Sequence, residues 1–551
     1  MNSLAKMLGW VVGAALLQGT TLLPVPGAAA AMPDTTVTIK DQPSSSTADH
    51  TKFDALKGPF ASGPEMTKAC LSCHTEAATQ VQQSIHWTWE YRHPVTGQML
   101  GKKRVINSFC GNVMSNEPRC TSCHAGYGWE DEKTFDFKEQ SNVDCVVCHD
   151  KTGTYQKWPA GAGHPLYQPV TDSSGNICQP PDLAKIASSV GPPGRENCGA
   201  CHFYGGGGDN VKHGDLSSAL VNPSRHVDVH MSAEGADMSC IDCHTANGHK
   251  WPGSRYLGTV KGDGVKPRSG FRRTDVASCQ SCHTERPHTG ASIATLKLND
   301  HTDKVACQTC HIPSYAKGGV PTKTWWDWST AGKLKDGKPY HESDAEGRHT
   351  YLSEKGDFIW EEDVKPEYAF WNGIVEYSLL GDRIDPAGVV AVNRIFGEAG
   401  DPDSRIYPFK VMRGKQAYDT KNLSLVYTNV FGPQTDTAFW TNFDWGKAIA
   451  AGMQDSGVPY SGEYDFVETK MYWPTTHMVA PASEALDCGS CHAKQGRLAG
   501  LGGFYLPGRD GFPMTDRIGI GLLLLSLLGV ALHAMIRLLG AGKRKQNPSN
   551  G

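Results

Sequence analysis

One short pattern, Cys-x-x-Cys-His, occurs eight times in this chain and uses sixteen of its eighteen cysteines. The paired cysteines, which define the first to the eighth motif in chain order, are Cys70 and Cys73, Cys120 and Cys123, Cys145 and Cys148, Cys198 and Cys201, Cys240 and Cys243, Cys279 and Cys282, Cys307 and Cys310, and Cys488 and Cys491. The histidines that follow them are His74, His124, His149, His202, His244, His283, His311 and His492. Two thiols at this spacing reach the two vinyl groups of one haem, and the next imidazole binds its iron. Zinc knuckles or disulfides would leave the fixed trailing histidine unexplained. We therefore expect eight covalently bound haem c groups.

The close spacing of the motifs constrains the fold. Consecutive motifs from Cys70 to Cys307 begin 25 to 53 residues apart, which is too little sequence for independent domains. We expect a multihaem cytochrome c, mainly α with many loops, whose core is built around the eight covalent haems. The haem domain at 61–311 carries haems 1 to 7, and the segment at 481–510 carries the eighth. Helical spacing at 64–82 and 182–189 predicts two of its short helices.

A long stretch without a motif separates the seventh motif from the eighth. The 176 residues between His311 and Cys488 are too many for a linker, and they are rich in tryptophan. We expect residues 312–480 to form a folded insertion of mixed strand and helix that packs over the haems. Its sequence leaves open whether it shapes a substrate channel or serves packing and partner docking.

Both ends of the chain carry membrane-related patterns. Residues 1–31 combine an apolar stretch with a run of small residues, which is typical of a secretory signal peptide, with an uncleaved anchor as the alternative. Residues 32–60, rich in Ser, Thr, Asp and Pro, predict a disordered lead-in. Residues 517–540 predict a single transmembrane anchor, and the basic tail at 541–551 indicates a cytoplasmic C-terminus. The body is then expected at the periplasmic face of the cytoplasmic membrane.

The chain has one fewer candidate histidine for the second iron ligand than it has haem motifs. A haem iron that only transfers electrons has two strong axial ligands, whereas an iron that does chemistry needs a position that opens. Of the 22 histidines, 14 lie outside the motifs, and His50 in the lead-in and His533 in the anchor are set aside. The seven expected distal ligands are His86, His213, His230, His249, His288, His301 and His477. His93 and His164, each followed by proline, are weaker candidates. Seven histidines leave one iron without a partner.

A glycine-rich stretch, GGGGDNVKHGD at 205–215, offers a different ligand for that iron. The amine of Lys212 is a possible iron ligand if burial keeps it neutral, and it would be more displaceable than imidazole. Asp209 could relay a proton to a reacting substrate. The alternatives are a solvated Lys212 beside an ordinary distal histidine, or a rival lysine at Lys157 or Lys151.

Two cysteines, Cys110 and Cys178, lie outside the motifs. One interpretation is a disulfide between them, which an oxidising compartment permits. The other places Cys110, ten residues before the second motif, beside that haem as a free or modified thiol.

In its motif spacing and three segments the chain resembles the octahaem tetrathionate reductase family. These segments are CGACHFYGGGGDNVKHGDL at 198–216, NGHKWPGSRY at 247–256 and YWPTTHMVAP at 472–481. The resemblance implies seven bis-histidine haems and a second haem with lysine as distal ligand, here Lys212, with Asp209 and Cys110 nearby. It further implies reduction of tetrathionate, nitrite or hydroxylamine. The C-terminal anchor departs from the family, which is known mainly as soluble periplasmic protein.

These observations together predict a membrane-anchored periplasmic reductase of small sulfur and nitrogen species. Its expected partners are a small-molecule substrate and a quinol-oxidising or cytochrome electron donor. A formal net charge of −4 argues against nucleic-acid binding. The alternatives are a non-catalytic electron conduit from the quinol pool and a hydroxylamine-type oxidoreductase, for whose tyrosine cross-link the sequence offers no clear candidate.

Overall fold

The computed structural model describes residues 48–172, 175–251, 254–260, 278–432 and 436–546. The predicted signal peptide at 1–31 and residues 32–47 of the lead-in lie outside this part of the chain. Residues 48–60, in contrast, are folded, with 3-10 turns at His50–Lys52 and Asp54–Leu56. Leu56 is buried against Met66, Val146 and Ile186. The prediction of a disordered lead-in is therefore wrong for residues 48–60, because an apolar side chain anchors them.

Short helices dominate the part of the chain that carries the first seven motifs. They are α1 Gly63–Leu71, α2 Ala77–Gln82, α3 Ile85–Thr88, α4 Val146–His149, α5 Leu183–Ser188, α6 Arg195–His202, α7 Cys240–Cys243, α8 Cys279–His283, α9 Ile293–His301 and α10 Cys307–His311. The second motif lies on a 3-10 turn, Cys120–Cys123. Helical caps start several of these elements, as where the Ser278 hydroxyl accepts from the Ser281 amide at 3.2 Å. One helical turn brings residues three apart to the same face, as two thioether bonds to one haem require.

The stretch at 312–480 is built around a nine-stranded sheet. The strands of this sheet are β5 Thr322–Asp327, β6 His341–Ser343, β7 His349–Leu352, β8 Gly356–Glu361, β9 Glu367–Trp371, β11 Val390–Ala391, β13 Arg405–Asp419, β14 Ser424–Leu425 and β15 Tyr464–Pro474. Six short strands form separate two-stranded pairs, namely β1 Tyr91–Arg92 with β2 Met99–Leu100, β3 Val170–Thr171 with β4 Ile177–Cys178, and β10 Val375–Tyr377 with β12 Asn393–Ile395. The strand order is β11-β15-β13-β5-β8-β7-β6, and β9 and β14 also pair with β13. The remaining helices are α11 Phe439–Asn442, α12 Trp445–Ser456, α13 Cys488–Cys491 and α14 Pro513–Gln546.

Strand β13 is the centre of the main hydrophobic core. It runs antiparallel to β15 from Phe409 opposite Pro474 to Asp419 opposite Tyr464. Nearly all residues of β13 are buried, because both faces of the strand are covered by other parts of the protein. With 28% helix and 19% strand, the fold is mixed, and the prediction of a mainly α chain underestimated this sheet. Large aromatic side chains favour strands when they pack on a shared, buried surface.

The sheet packs against the segments around the second motif. The Asn116 side chain accepts from the amides of Val430 and Phe431 at 2.9 and 3.0 Å. The Gln416 amide donates to the Asn107 carbonyl at 2.9 Å. The strand-rich stretch therefore forms one wall of the region in which the second motif lies.

The last helix is long, apolar and exposed. Its segment Pro513–Gly540 is long and apolar enough to cross a bilayer, and its apolar span is not buried against the described part of the chain. The predicted anchor at 517–540 lies inside it. The helix continues to Gln546 through part of the predicted basic tail, and residues 547–551 lie outside the described part.

Candidate haem sites

Seven of the eight motif histidines lie opposite a second histidine ring. Their ring centres are 5.9 to 6.4 Å apart. The pairs are His74 with His50, His149 with His249, His202 with His86, His244 with His477, His283 with His230, His311 with His288, and His492 with His301.

This separation fits one iron between each pair. An imidazole nitrogen binds a transition metal at about 2 Å, and the ring centre lies about 1 Å behind it, so two rings on one iron have centres about 6 Å apart. Nδ1 of His149 donates to the Gly191 carbonyl at 2.9 Å, and Nδ1 of His492 donates to the Pro507 carbonyl at 3.0 Å. Such hydrogen bonds leave Nε2 as the nitrogen that faces a metal. Two thiols and two imidazoles per site are the donor set of a bis-histidine c-type haem.

The pairing differs from the sequence expectation at two histidines. His213 stacks edge-on against Trp473 at 4.9 Å between ring centres, and burial lowers its pKa well below the ordinary value. His50 takes the remaining place, opposite His74. It was set aside because its segment was interpreted as disordered. The signal for it was the apolar pair Phe53 and Leu56 beside it, which marks a packed turn.

The two weaker candidates have other partners. Nδ1 of His93 accepts from the amides of Val95 and Thr96 at 3.1 and 3.0 Å, and thereby closes a turn. Nδ1 of His164 lies 2.7 Å from the Tyr167 hydroxyl. In the described part of the chain, neither ring is paired with a motif histidine.

Neighbouring motifs touch through their cysteines. These contacts join Cys70 with Cys145, Cys123 with Cys201, Cys198 with Cys240, and Cys279 with Cys307. Cysteines of the third and fourth, the fifth and sixth, and the seventh and eighth motifs also interact electrostatically. The motifs therefore form a continuous series in which the second branches from the fourth.

The second motif differs from the other seven. The His124 ring lies among Trp87, Trp89 and Trp129, with centres 4.9, 5.4 and 4.8 Å away. Its Nε2 is 2.7 Å from the Trp87 carbonyl, and its buried Nδ1 has no hydrogen-bond partner among the residues that the structure describes. Burial lowers the pKa of this histidine to about 3. Among the described residues, all its ring neighbours are tryptophan or phenylalanine, so this site lacks a second imidazole.

Lys212 lies beside this motif. Its ammonium group is 5.3 Å from the centre of the Trp473 ring and interacts with the Cys123 thiol. Burial lowers the pKa of Lys212 well below its ordinary value, and the charges of Arg255 and Lys102 lower it further. A neutral amine is the form that binds a metal. No acidic partner for this side chain occurs in the described part of the chain.

Gly205 makes room for this lysine. A Cβ at this position would lie 2.9 Å from Cδ of Lys212, closer than side-chain contacts allow. The glycine-rich stretch therefore has a packing role that involves the lysine itself.

Asp209 is held by other groups. Its carboxylate accepts hydrogen bonds from the Ser218 amide at 3.0 Å and from the Ser218 hydroxyl. It also raises the pKa of Tyr204, which burial raises more strongly. The structure shows no hydrogen bond between Asp209 and Lys212, although three residues separate them in sequence.

The rival Lys157 has a structural position. Its ammonium group donates to the carbonyls of His124, Gly126 and Gly163 at 2.7, 3.1 and 3.0 Å. It also pairs with Asp144 at 2.9 Å, and both side chains are buried. All its donors are thus used within the protein.

This arrangement predicts a large loss of stability when Lys157 is replaced. Lys157→Met leaves the buried Asp144 carboxylate without its cation, and we expect the free energy of unfolding to fall by about 3–5 kcal/mol. Guanidinium denaturation followed by far-ultraviolet circular dichroism measures this. The control, Lys151→Met at an exposed lysine, is expected to stay within about 0.5 kcal/mol. Equal stability of the two variants would contradict the assignment.

Cys110 and Cys178 are both free thiols, so the disulfide interpretation is wrong. Cys178 lies on β4, opposite Val170. Burial raises the pKa of Cys110, whose amide donates to the Asn107 side chain at 3.1 Å. Cys110 also acts electrostatically on Cys120 of the second motif.

The repeated attachment motifs, the paired imidazoles and the contacts between motifs define a multihaem c-type cytochrome with covalently bound haem c. Residues 69–150 match the family model "Cytochrome c554 and c-prime", and residues 323–495 match "Cytochrome c bacterial". The second match joins the sheet and the eighth motif in one cytochrome family pattern.

Similarity to a solved structure gives the family. The octahaem cytochrome c from Shewanella oneidensis is 43% identical, with a TM-score of 0.72, over 85% of this chain and 98% of that one. An Archaeoglobus fulgidus protein, described only as uncharacterized, is 24% identical over 242 residues, or 37% of this chain and 80% of that protein. The chain belongs to the octahaem family of multihaem c-type cytochromes, which confirms the resemblance seen in its sequence.

Proposed function

We propose that this protein reduces small sulfur and nitrogen species, such as tetrathionate, nitrite or hydroxylamine, at the second of eight haems. The observation that carries the proposal is the second motif itself. Among the described residues its histidine is the one motif histidine without an imidazole partner, and a buried lysine of lowered pKa lies nearby. Lys212 is the proposed distal ligand there. The proposed distal ligands of the other seven haems are His50, His249, His86, His477, His230, His288 and His301.

When bound, a haem at the second motif supplies an iron with a position that an incoming atom could occupy. The residues of this chain prepare that position. Burial lowers the pKa of Lys212 and so favours its uncharged form, which would be a weak and replaceable ligand. The guanidinium of Arg255 lies 4.6 Å from the same Trp473 ring, and its Nη1 is buried without a partner. This donor would orient an anionic substrate, and Asp209, oriented by Ser218, is the proposed proton source.

The series of touching motifs supports the proposed route of electrons. The second motif contacts the fourth through Cys123 and Cys201, and the fourth is continuous with the eighth through its neighbours. Only twenty residues separate His492 of the eighth motif from the start of the apolar helix at Pro513. Leu506, buried in this connection, holds it to the body. Electrons from a quinol-oxidising or cytochrome donor would therefore enter at the eighth haem.

The apolar helix is the proposed membrane anchor, with the body at the periplasmic face and the C-terminus in the cytoplasm. Because the helix is not buried against the body, deletion of residues 513–551 is expected to move the protein from the membrane fraction to the soluble fraction. The haem absorption spectrum should not change. Ultracentrifugation of membranes with and without detergent measures this, with the full chain as control. A truncated protein that still sediments with membranes would contradict the anchor.

The test of the function is turnover by the reduced holoprotein with tetrathionate, nitrite and hydroxylamine, measured side by side. Oxidation of the haems by at least one of these substrates supports the proposal. If the haems stay reduced in the presence of all three substrates, the alternative function of a non-catalytic electron conduit is favoured. The series of neighbouring motifs is compatible with that function as well.

A further inference from the structure

Three cationic side chains act electrostatically on the Cys110 thiol. Lys355, Arg119 and Lys323 are the cations that act on it most strongly. They come from separate parts of the chain, since Arg119 precedes the second motif, Lys323 lies on β5, and Lys355 lies in the turn between β7 and β8. Arg119 is exposed, Lys355 is half-buried, and Lys323 is only 6% exposed. The positive charges therefore continue from the surface to the buried thiol.

Aromatic rings hold these cations in place. The Lys323 ammonium group lies 3.1 Å from the centre of the Phe358 ring. Lys355 and Arg119 share one ring, that of Trp440, at 5.1 and 5.5 Å from its centre. An aromatic face attracts a cation but does not neutralise its charge.

The cluster has no counter-ion of its own. Across the described ranges, no carboxylate pairs with any of these three side chains, and none of their charged groups donates a hydrogen bond within the protein. The indole N–H of Trp440 is also buried without an acceptor. Unpaired positive charge at Lys355 and Arg119, with the buried amine of Lys323 beside it, makes this cluster a complement to an anion.

We propose, resting on the proposed function, that Lys323, Lys355 and Arg119 form an anion subsite that selects substrates by charge. It binds the oxyanion end of the substrate, such as a terminal sulfonate of a sulfur oxyanion, beside the second motif. A dianion gains most from this subsite, a monoanion gains less, and an uncharged substrate gains nothing.

The ionisation of Lys323 agrees with this placement. Burial, together with the charges of Lys355 and Lys410, lowers its pKa to about 6, while Cys110 opposes them. Lys323 in turn contributes to the lowered pKa of His349. A bound anion favours the charged amine, so binding takes up a proton and is expected to be tighter at pH 6 than at pH 8.

The experiment measures binding of tetrathionate and of sulfate to the oxidised holoprotein by titration calorimetry. Lys323→Met and Lys355→Met keep the side-chain length and remove the charge. Each is expected to raise the Kd for tetrathionate about tenfold and that for sulfate by a similar factor. Lys323→Arg should keep the Kd within about threefold. The matched control is Lys333→Met, an exposed lysine 5.3 Å from the Tyr351 ring, which should leave the Kd unchanged.

Turnover separates this proposal from the proposed function. In Lys323→Met the KM for tetrathionate should rise while the KM for hydroxylamine stays constant. If the variants bind anions more weakly but neither they nor the parent protein shows turnover, the subsite is supported and the proposed reductase function is contradicted. Active variants with unchanged anion binding would overturn the subsite. A loss of affinity equal for charged and uncharged substrates, or a changed haem content, would also overturn it, because the cations would then serve the haem carboxylates or the fold.

Discussion

Replacing Lys212 by alanine is expected to open one iron to external ligands and to lower the turnover number by about 100-fold or more. The side chain is a buried amine that acts on Cys123 of the second motif, and in the described part of the chain no acidic partner holds it. The ring neighbours of His124 there include no second imidazole. Without the amine, that haem should show a high-spin ferric signal in electron paramagnetic resonance. Cyanide should bind to it at least about tenfold more tightly than to the parent protein, which retains a competing ligand.

Two further variants sharpen this test. Lys212→His supplies an eighth second imidazole and should return the site to low spin without restoring turnover. Lys151→Ala changes the exposed rival lysine and should change neither the spin state nor the turnover. An unchanged spectrum and unchanged cyanide binding in Lys212→Ala would show that Lys212 is not the ligand of this iron.

His50→Ala is expected to convert the first haem, and only that one, to a site with a single axial ligand. The His50 and His74 rings are stacked at 6.1 Å between centres, an arrangement that suits two ligands of one iron. Magnetic circular dichroism in the near infrared measures the number of bis-histidine haems, and this number should fall by one in the variant.

His213→Ala is the matched comparison, because sequence reasoning ranked His213 as a ligand and set His50 aside. In this variant the count of bis-histidine haems should stay constant. Only stability should change, by about 0.5–1.5 kcal/mol for the lost ring contact with Trp473. A fall in the count for His213→Ala but not for His50→Ala would reverse the two assignments.

Much of the candidate site was predictable because its chemistry is local. The thiols and imidazole of a motif lie within five residues, and one helical turn arranges them. Six of the seven histidines expected as second ligands, such as His86 and His477, face a motif histidine. The sequence also indicated Lys212, because its resemblance to a known family was specific.

The remaining features arise from contacts between distant segments. Nothing near Lys323 or Lys355 in sequence points to Cys110, more than 200 residues earlier. The strand-rich stretch brings them there, because β5 and β8 pair within the sheet that walls the second motif. Local patterns likewise missed the extent of the sheet, since β13 is buried on both faces and shows no alternation.

The amino-acid sequence by itself determined where haem is attached, how many motifs exist and which histidine each motif supplies. The reason is that all residues needed for covalent attachment lie within the five consecutive residues of a motif. Only the tertiary structure decided which second histidine lies opposite which motif histidine. His50 reaches His74 across 23 intervening residues, whereas His301 reaches His492 across 190. Packing of the whole chain, which no local pattern encodes, sets such distances and leaves His124 beside a lysine.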